Sequence, residues 1–194
     1  MSNSRSFVVD DPQKGVFLLD REALVSDQVL RDEMRNIFAK CWIYVGHGSE
    51  VKKPGDYQTR RVAGRPVIFV RDQAGQVKCH FNTCRHRGAI VCNDRAGNTR
   101  RFNCIYHGWI YGNDGALQRV PGEEAYTEAF DKSAYGLKGP ARFENYRDFW
   151  FMNLDPNAQP LADYLGKAKD YIDLIIEQSP SGQMEVLQIG RAHV

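Results

Sequence analysis

The chain has 194 residues, 42% apolar and 26% charged, the balance of a globular protein with room for one sizeable domain and some further elements. A formal net charge of +2, with no long basic run, argues against a nucleic-acid partner. No apolar stretch approaches membrane-spanning length, Val67-Ile68-Phe69-Val70 being typical of the longest, so no membrane is expected.

In chain order, Ser2 to Ser6 lack the apolar core of a secretory signal, which makes the cytoplasm the expected location. The first twenty residues read as polar and irregular, with a short apolar patch at Val16–Leu19. Ser26 is placed to cap a helix over Asp27–Lys40, whose Leu30, Met34, Ile37, Phe38 and Cys41 form one stripe. Pro54-Gly55 ends that pattern. Short strands are expected at Tyr57–Val62, Pro66–Arg71, Val77–Phe81, Thr99–Cys104, Trp109–Tyr111 and Phe149–Leu154. Turns are expected at Ala63-Gly64, Ala74-Gly75, Ala96-Gly97-Asn98 and Asn113-Asp114-Gly115. Together these predict a small antiparallel β domain over residues 42–155. Beyond Pro156 the apolar residues Leu161, Tyr164, Leu165, Ala168, Tyr171, Ile172, Ile175 and Ile176 recur at helical spacing. One amphipathic helix is expected there, begun by Pro160, either packed on the sheet or opening a second domain. The final stretch, Ile189 to Val194, can be spelled ATC GGA AGA GCA CAC GTC, like the start of a sequencing adapter. Residues 189–194 are therefore expected to be an assembly artefact on a protein that continues past Gln188.

Five cysteines, at 41, 79, 84, 92 and 104, are too few for a disulfide scaffold. Their spacing against histidine is more informative. Cys84-x-His86 and Cys104-x-x-His107 stand seventeen residues apart, and each knuckle supplies one sulfur and one nitrogen. A tetrahedral zinc site could use the same four donors, but zinc fingers usually pair like with like. A [2Fe–2S] cluster of the Rieske type explains the mixed pairing, since one iron takes both cysteines and the other both histidines. Neutral imidazoles would then raise the potential to roughly −150 to +300 mV, against about −400 mV for all-cysteine plant-type clusters. Arg87, Gly88, Tyr106, Gly108 and Trp109 complete the two knuckles. The glycines permit close backbone approach, and Trp109 is expected to cover the cluster from water.

With Trp42-Ile43-Tyr44-Val45-Gly46-His47, Pro54-Gly55-Asp56-Tyr57, Phe81-Asn82-Thr83-Cys84-Arg85-His86-Arg87-Gly88 and Cys104-Ile105-Tyr106-His107-Gly108-Trp109, the chain resembles the α (large) subunit of bacterial aromatic-ring-hydroxylating oxygenases. The resemblance runs to about Gln188 and implies a mainly β fold. Its core would be a Rieske-type antiparallel β-sandwich over 42–155, after an N-terminal helical segment over 1–41. Residues 156–188 would carry the first helix of a truncated α+β catalytic domain. It further implies electrons from NAD(P)H through a flavin reductase or ferredoxin to the cluster, then to a mononuclear Fe(II) that activates O₂ on an aromatic substrate. A β subunit and a homo-oligomer belong to the same expectation.

That iron needs two histidines and a carboxylate. The remaining histidines, His47, His80 and His193, form no such set, so no catalytic residue is expected in this chain. Arg85, Arg87, Arg95, Arg100 and Arg101 are expected to form an ordinary solvated loop surface, with a docking face for an acidic reductase or ferredoxin as the alternative. The alternative function is a stand-alone Rieske ferredoxin, which would need only the β domain. A respiratory Rieske subunit would want a membrane anchor and an extra cysteine pair, neither of which is evident.

Overall fold

The computed structural model describes residues 6–187. The suspected residues 189–194, His193 among them, lie outside that range.

Val-rich segments on either side of a glycine make the first element. β1 (Val8–Asp11) pairs antiparallel with β2 (Val16–Leu19), and Gly15 turns the chain at φ +63°. The sequence reading treated this region as irregular; the β-branched residues flanking the turn are what it missed. A short helix, α1 (Glu22–Val25), leads into α2 (Asp27–Asn36), where the Ser26 hydroxyl accepts from Val29 N–H at 3.5 Å as expected of a cap. α2 stops four residues before the expected Lys40, and residues 37–40 form a turn in which Lys40 N–H donates to the Ile37 carbonyl at 2.9 Å. Leu30 on α2, and Ile37 directly after it, stay exposed.

The body is built on the run Val67-Ile68-Phe69-Val70. These four residues are fully buried because their strand is covered on both faces. In order, β3 (Ile43–His47), β4 (Asp56–Val62), β5 (Arg65–Arg71), β6 (Val77–Phe81) and β7 (Ala96–Asn98) precede two short strands, β8 (Arg101–Asn103) and β9 (Ile110–Gly112). β10 (Leu117–Arg119), β11 (Arg142–Tyr146) and β12 (Phe149–Asn153) complete the set. A central sheet of order β6-β5-β4-β7 lies between two three-stranded sheets, β11-β12-β3 and β10-β9-β8, and every pairing is antiparallel. Strand alternation divides β5 between two cores. Val67 and Phe69 meet Val45, Val51 and Met152, whereas Ile68 and Val70 meet Tyr57, Phe102, Cys104 and Tyr111. The expected mainly β antiparallel fold is what forms.

Several local expectations need correction. Ala96-Gly97-Asn98 is strand β7, not a turn; Gly97 is there because a Cβ would lie 2.8 Å from the Tyr57 hydroxyl across the pair. The strand expected over Thr99–Cys104 is only Arg101–Asn103. β3, β10 and β11 were not anticipated, β11 because its polar Arg-Phe-Glu-Asn-Tyr sequence suits a sheet edge. The single helix expected from Pro160 is two, α3 (Leu161–Leu165) and α4 (Ala168–Glu177), broken at Gly166 with φ +49°. Leu161 and Ile176 are buried and Asp173 accepts from the Tyr146 hydroxyl at 2.7 Å, yet Tyr171, Leu174 and Ile175 face outward.

His80 on β6 points into the second core, 7% exposed, with Nε2 3.2 Å from the Asn113 carbonyl. Burial holds its pKa below the ordinary histidine value, the Asn113 contact opposing only in part. The unfolded chain therefore binds the proton more readily. The stability that neutral His80 contributes is present above about pH 6.5 and is lost as pH falls from there toward the lower folded-state pKa. Urea midpoints should decline over that window, and His80→Gln, which keeps a donor for Asn113, should flatten the decline. An identical pH slope in the variant would contradict this.

Candidate metal centre

Two loops converge at one end of the molecule. The first follows β6 and the second joins β8 to β9. Both run five residues from cysteine to glycine and close in the same way. Cys84 N–H donates to the Ala89 carbonyl (2.7 Å) and Gly88 N–H to the Cys84 carbonyl (2.9 Å). Cys104 N–H donates to the Trp109 carbonyl (2.9 Å) and Gly108 N–H to the Cys104 carbonyl (2.9 Å). Gly88 and Gly108 take φ of +77° and +71°, the left-handed region that a side chain disfavours, and at Gly108 a Cβ would also press on Pro121 at 3.0 Å.

Matched loops put unlike donors in unlike surroundings. Cys84 and Cys104 are 4% and 1% exposed, whereas His86 lies at the surface. The two imidazoles meet edge to face, with centroids 4.6 Å apart at 77°. The Cys84 thiol stands beside that of Cys104; burial and then that proximity push the Cys104 thiol pKa up, while the Tyr106 and His107 N–H groups pull it down. Burial, His107 and Arg87 hold His86 on the neutral side of its usual range. Trp109, buried, lies flat against His86 with centroids 4.9 Å apart at 11°, and the Tyr106 ring sits 3.8 Å from His107. Arg87 is exposed at the loop tip.

Two further residues belong here that the sequence reading did not single out. The Tyr111 hydroxyl lies 3.2 Å from Cys84 Sγ and accepts from Arg85 N–H at 3.0 Å, which leaves its own proton free for the sulfur. Asn82 pins the base of the first loop: its Oδ1 accepts from Val91 N–H (3.0 Å) and Cys92 N–H (2.8 Å), and its Nδ2 donates to the Cys92 carbonyl (2.7 Å). Strand alternation could have pointed to Tyr111, two residues after Trp109 on β9.

Other candidates stay apart. Cys79 faces the opposite core, its pKa pushed up to about 12 by burial. His47 caps the turn after β3, taking a hydrogen bond from Ser49 N–H at 3.3 Å. Of the five arginines, Arg85 and Arg87 lie on the first ligand loop, Arg95 is exposed just before β7, and Arg100 and Arg101 line a cleft shared with Lys78, Asp72 and Asp114.

The donor set fits a binuclear iron–sulfur cluster. The two imidazoles face each other and the two thiols lie side by side, so sulfur and nitrogen donors form two pairs, one for each iron of such a cluster. N–H and O–H donors aimed at both sulfurs suit thiolates.

Comparison with known proteins agrees. Residues 41–137 match the Rieske [2Fe–2S] domain family. The chain is 40% identical over 178 residues to the anthranilate 1,2-dioxygenase large subunit of Acinetobacter baylyi, a match covering 91% of this chain and 38% of that protein. It is 35% identical over 192 residues to the toluate 1,2-dioxygenase subunit alpha of Pseudomonas putida, covering 97% and 42%. The crystal structure of naphthalene 1,2-dioxygenase from a Rhodococcus species superposes with a TM-score of 0.79 at 37% identity, over 84% of this chain and 37% of that one. The chain thus spans about two-fifths of the length of the curated relatives it matches.

Asn82→Leu removes three hydrogen bonds and leaves buried backbone groups of Val91 and Cys92 unpaired. At about 1–3 kcal/mol per group, the expected loss is about 3 kcal/mol or more. Urea unfolding measures it; a loss below about 0.5 kcal/mol, the range of an ordinary surface change, would mean that Asn82 does not hold the loop.

Proposed function

The chain belongs to the Rieske [2Fe–2S] family, and on that premise we propose that Cys84 and Cys104 hold one iron of the cluster while His86 and His107 hold the other. The observation that carries this is the pairing of two buried thiols with two facing imidazoles, His86 exposed and His107 half-buried, on matched loops. When bound, such a cluster takes up and gives back one electron at a time, and the neutral imidazoles raise its potential. The chain's own groups set the conditions. Tyr111 O–H, and the Tyr106 and His107 N–H groups, steady the charge on the two sulfurs. Trp109 fixes the plane of His86 and keeps water from its inner side. Gly88 and Gly108 let each loop close in five residues. The exposed imidazole edge is the natural side for electrons to leave.

The wider reading is the electron-relay domain of an aromatic-ring-hydroxylating oxygenase large subunit. The match to dioxygenase subunits supports it, because that match covers 91% of the chain and so extends well beyond the Rieske domain at residues 41–137. Electrons would come from NAD(P)H by way of a flavin reductase or ferredoxin and pass to a mononuclear Fe(II) site that uses O₂ on an aromatic compound. Among the described residues no group of His and carboxylate side chains could form that site, so it would lie in a separate domain. Residues 42–155 would be the relay, preceded by residues 1–41, with residues 156–188 opening the next domain. The outward-facing Tyr171, Leu174 and Ile175 of α4 support that last point. A stand-alone carrier would leave the β1–β2 hairpin, α2, α3 and α4 without a purpose. Among the described residues no helix is long and apolar enough to cross a membrane.

Replacing the neutral ligand by a thiolate adds negative charge to the cluster. His107→Cys, reconstituted with iron and sulfide, should show a lower midpoint potential, moving toward about −400 mV, in a spectroelectrochemical titration. A potential and spectrum equal to those of the parent would rule out His107 as a ligand.

A further inference from the structure

Residues far apart in sequence form a cleft of about 370 Å³ on the sulfur side of the ligand loops. Arg65 comes from the start of β5, Arg85 from the first loop, and Lys138 from a segment tied to β6, where Phe81 N–H donates to the Lys138 carbonyl at 2.7 Å. Cys84 and Phe81 form part of its wall, and the Arg65 guanidinium rests 5.8 Å from the Phe81 ring centroid. No carboxylate lines this cleft, and among the described residues none of the three cations is in an ion pair. By contrast, Arg100 and Arg101 share their cleft with Lys78 and with two carboxylates, Asp72 and Asp114.

We propose that the Arg65–Arg85–Lys138 cleft is the docking site of an acidic electron-carrier protein that reduces this chain. The inference rests on the Rieske reading above and places the donor on the surface. Three uncompensated cations on one cleft raise the local potential and attract an acidic protein over a Debye length of about 8–10 Å. Steering of this kind speeds encounter, which matters to a partner that must find the site at each turnover. An acceptor held in the same assembly gains nothing from it. The cleft also brings the partner to the wall formed by Cys84, a proposed ligand, while its apolar part around Pro66 and Phe81 gives a docked partner a dry contact. On the other side of Arg85, a separate aromatic cleft of about 460 Å³ lined by His86, Trp109, Tyr126, Phe130 and Tyr135 stays free. In the transfer the carrier gives up one electron and leaves oxidised, the chain is reduced by one, and no atom or proton changes place.

The test uses the cluster-loaded chain and an acidic plant-type [2Fe–2S] ferredoxin as probe. Calorimetry gives the Kd of the oxidised pair, and stopped-flow absorbance gives the rate of reduction by photoreduced ferredoxin. Arg65→Glu combined with Lys138→Glu should weaken both by about tenfold or more at about 0.01 M salt, and the difference should vanish at about 1 M, where the Debye length is about 3 Å. Lys138→Gln should move both in the same direction by less. Arg100→Glu should lose clearly less than the double variant at low salt, and at about 1 M salt reduction of every variant by methyl viologen radical should match the parent. Equal binding by the parent and the double variant at low salt, or an equal loss in Arg100→Glu, would overturn the docking site alone. A chain loaded with iron and sulfide that viologen radical cannot reduce would overturn the Rieske reading, and this inference with it.

Discussion

Everything in this molecule turns on two short loops that close identically but carry their histidines at different steps. In each, the cysteine N–H and the glycine N–H make the same pair of backbone hydrogen bonds, and the glycine occupies positive φ. The histidine follows its cysteine by two residues in the first loop and by three in the second. Facing each other, the loops send both thiols into the core and bring both imidazoles together at the rim. A single set of backbone constraints thereby separates soft, anionic donors from neutral ones. On the proposed ligation, that separation would give a binuclear cluster one iron of each kind.

The rest of the fold holds the loops in place. β5 is buried on both faces, so Ile68 and Val70 support the core under the loops while Val67 and Phe69 anchor the sheet behind. Asn82 ties the first loop to the turn at Val91 and Cys92, and Tyr111 links it to the strand after the second. Trp109 links the imidazoles to the core: its indole is flat on His86 and also packs against Phe130 and Tyr135. Arg85 stands between a basic cleft reaching Cys84 and an aromatic one reaching His86, so the two sides of the site differ in electrostatic character.

Much of this was legible in the sequence because the donors sit in short, contiguous motifs. Cys84-x-His86 and Cys104-x-x-His107 declare both the residue types and their local spacing, and the glycines four residues after each cysteine mark the closing turns. The central strands Asp56–Val62, Arg65–Arg71 and Val77–Phe81 were visible for a similar reason, alternation or a doubly buried apolar run bounded by turns. What stayed hidden depends on partners distant in sequence. Gly97 looks like a turn residue until the Tyr57 ring opposite it is seen, and Gly166 gives no sign in the helical pattern that it will break the helix. Lys138 joins Arg65 and Arg85 only through the pairing of its segment with Phe81. The arginine list read from sequence mixed residues at the loop tip with others beside carboxylates, because charge along a chain does not report charge in space.

The central claim is unequal coordination, with sulfur at one iron and imidazole nitrogen at the other. Pulsed EPR of the one-electron-reduced protein, prepared with ¹⁵N-labelled histidine, tests it most directly. The account predicts couplings from two histidine nitrogens that belong to His86 and His107. A reduced spectrum with no histidine nitrogen coupling, or a protein that carries zinc and no EPR signal after faithful maturation, would contradict it.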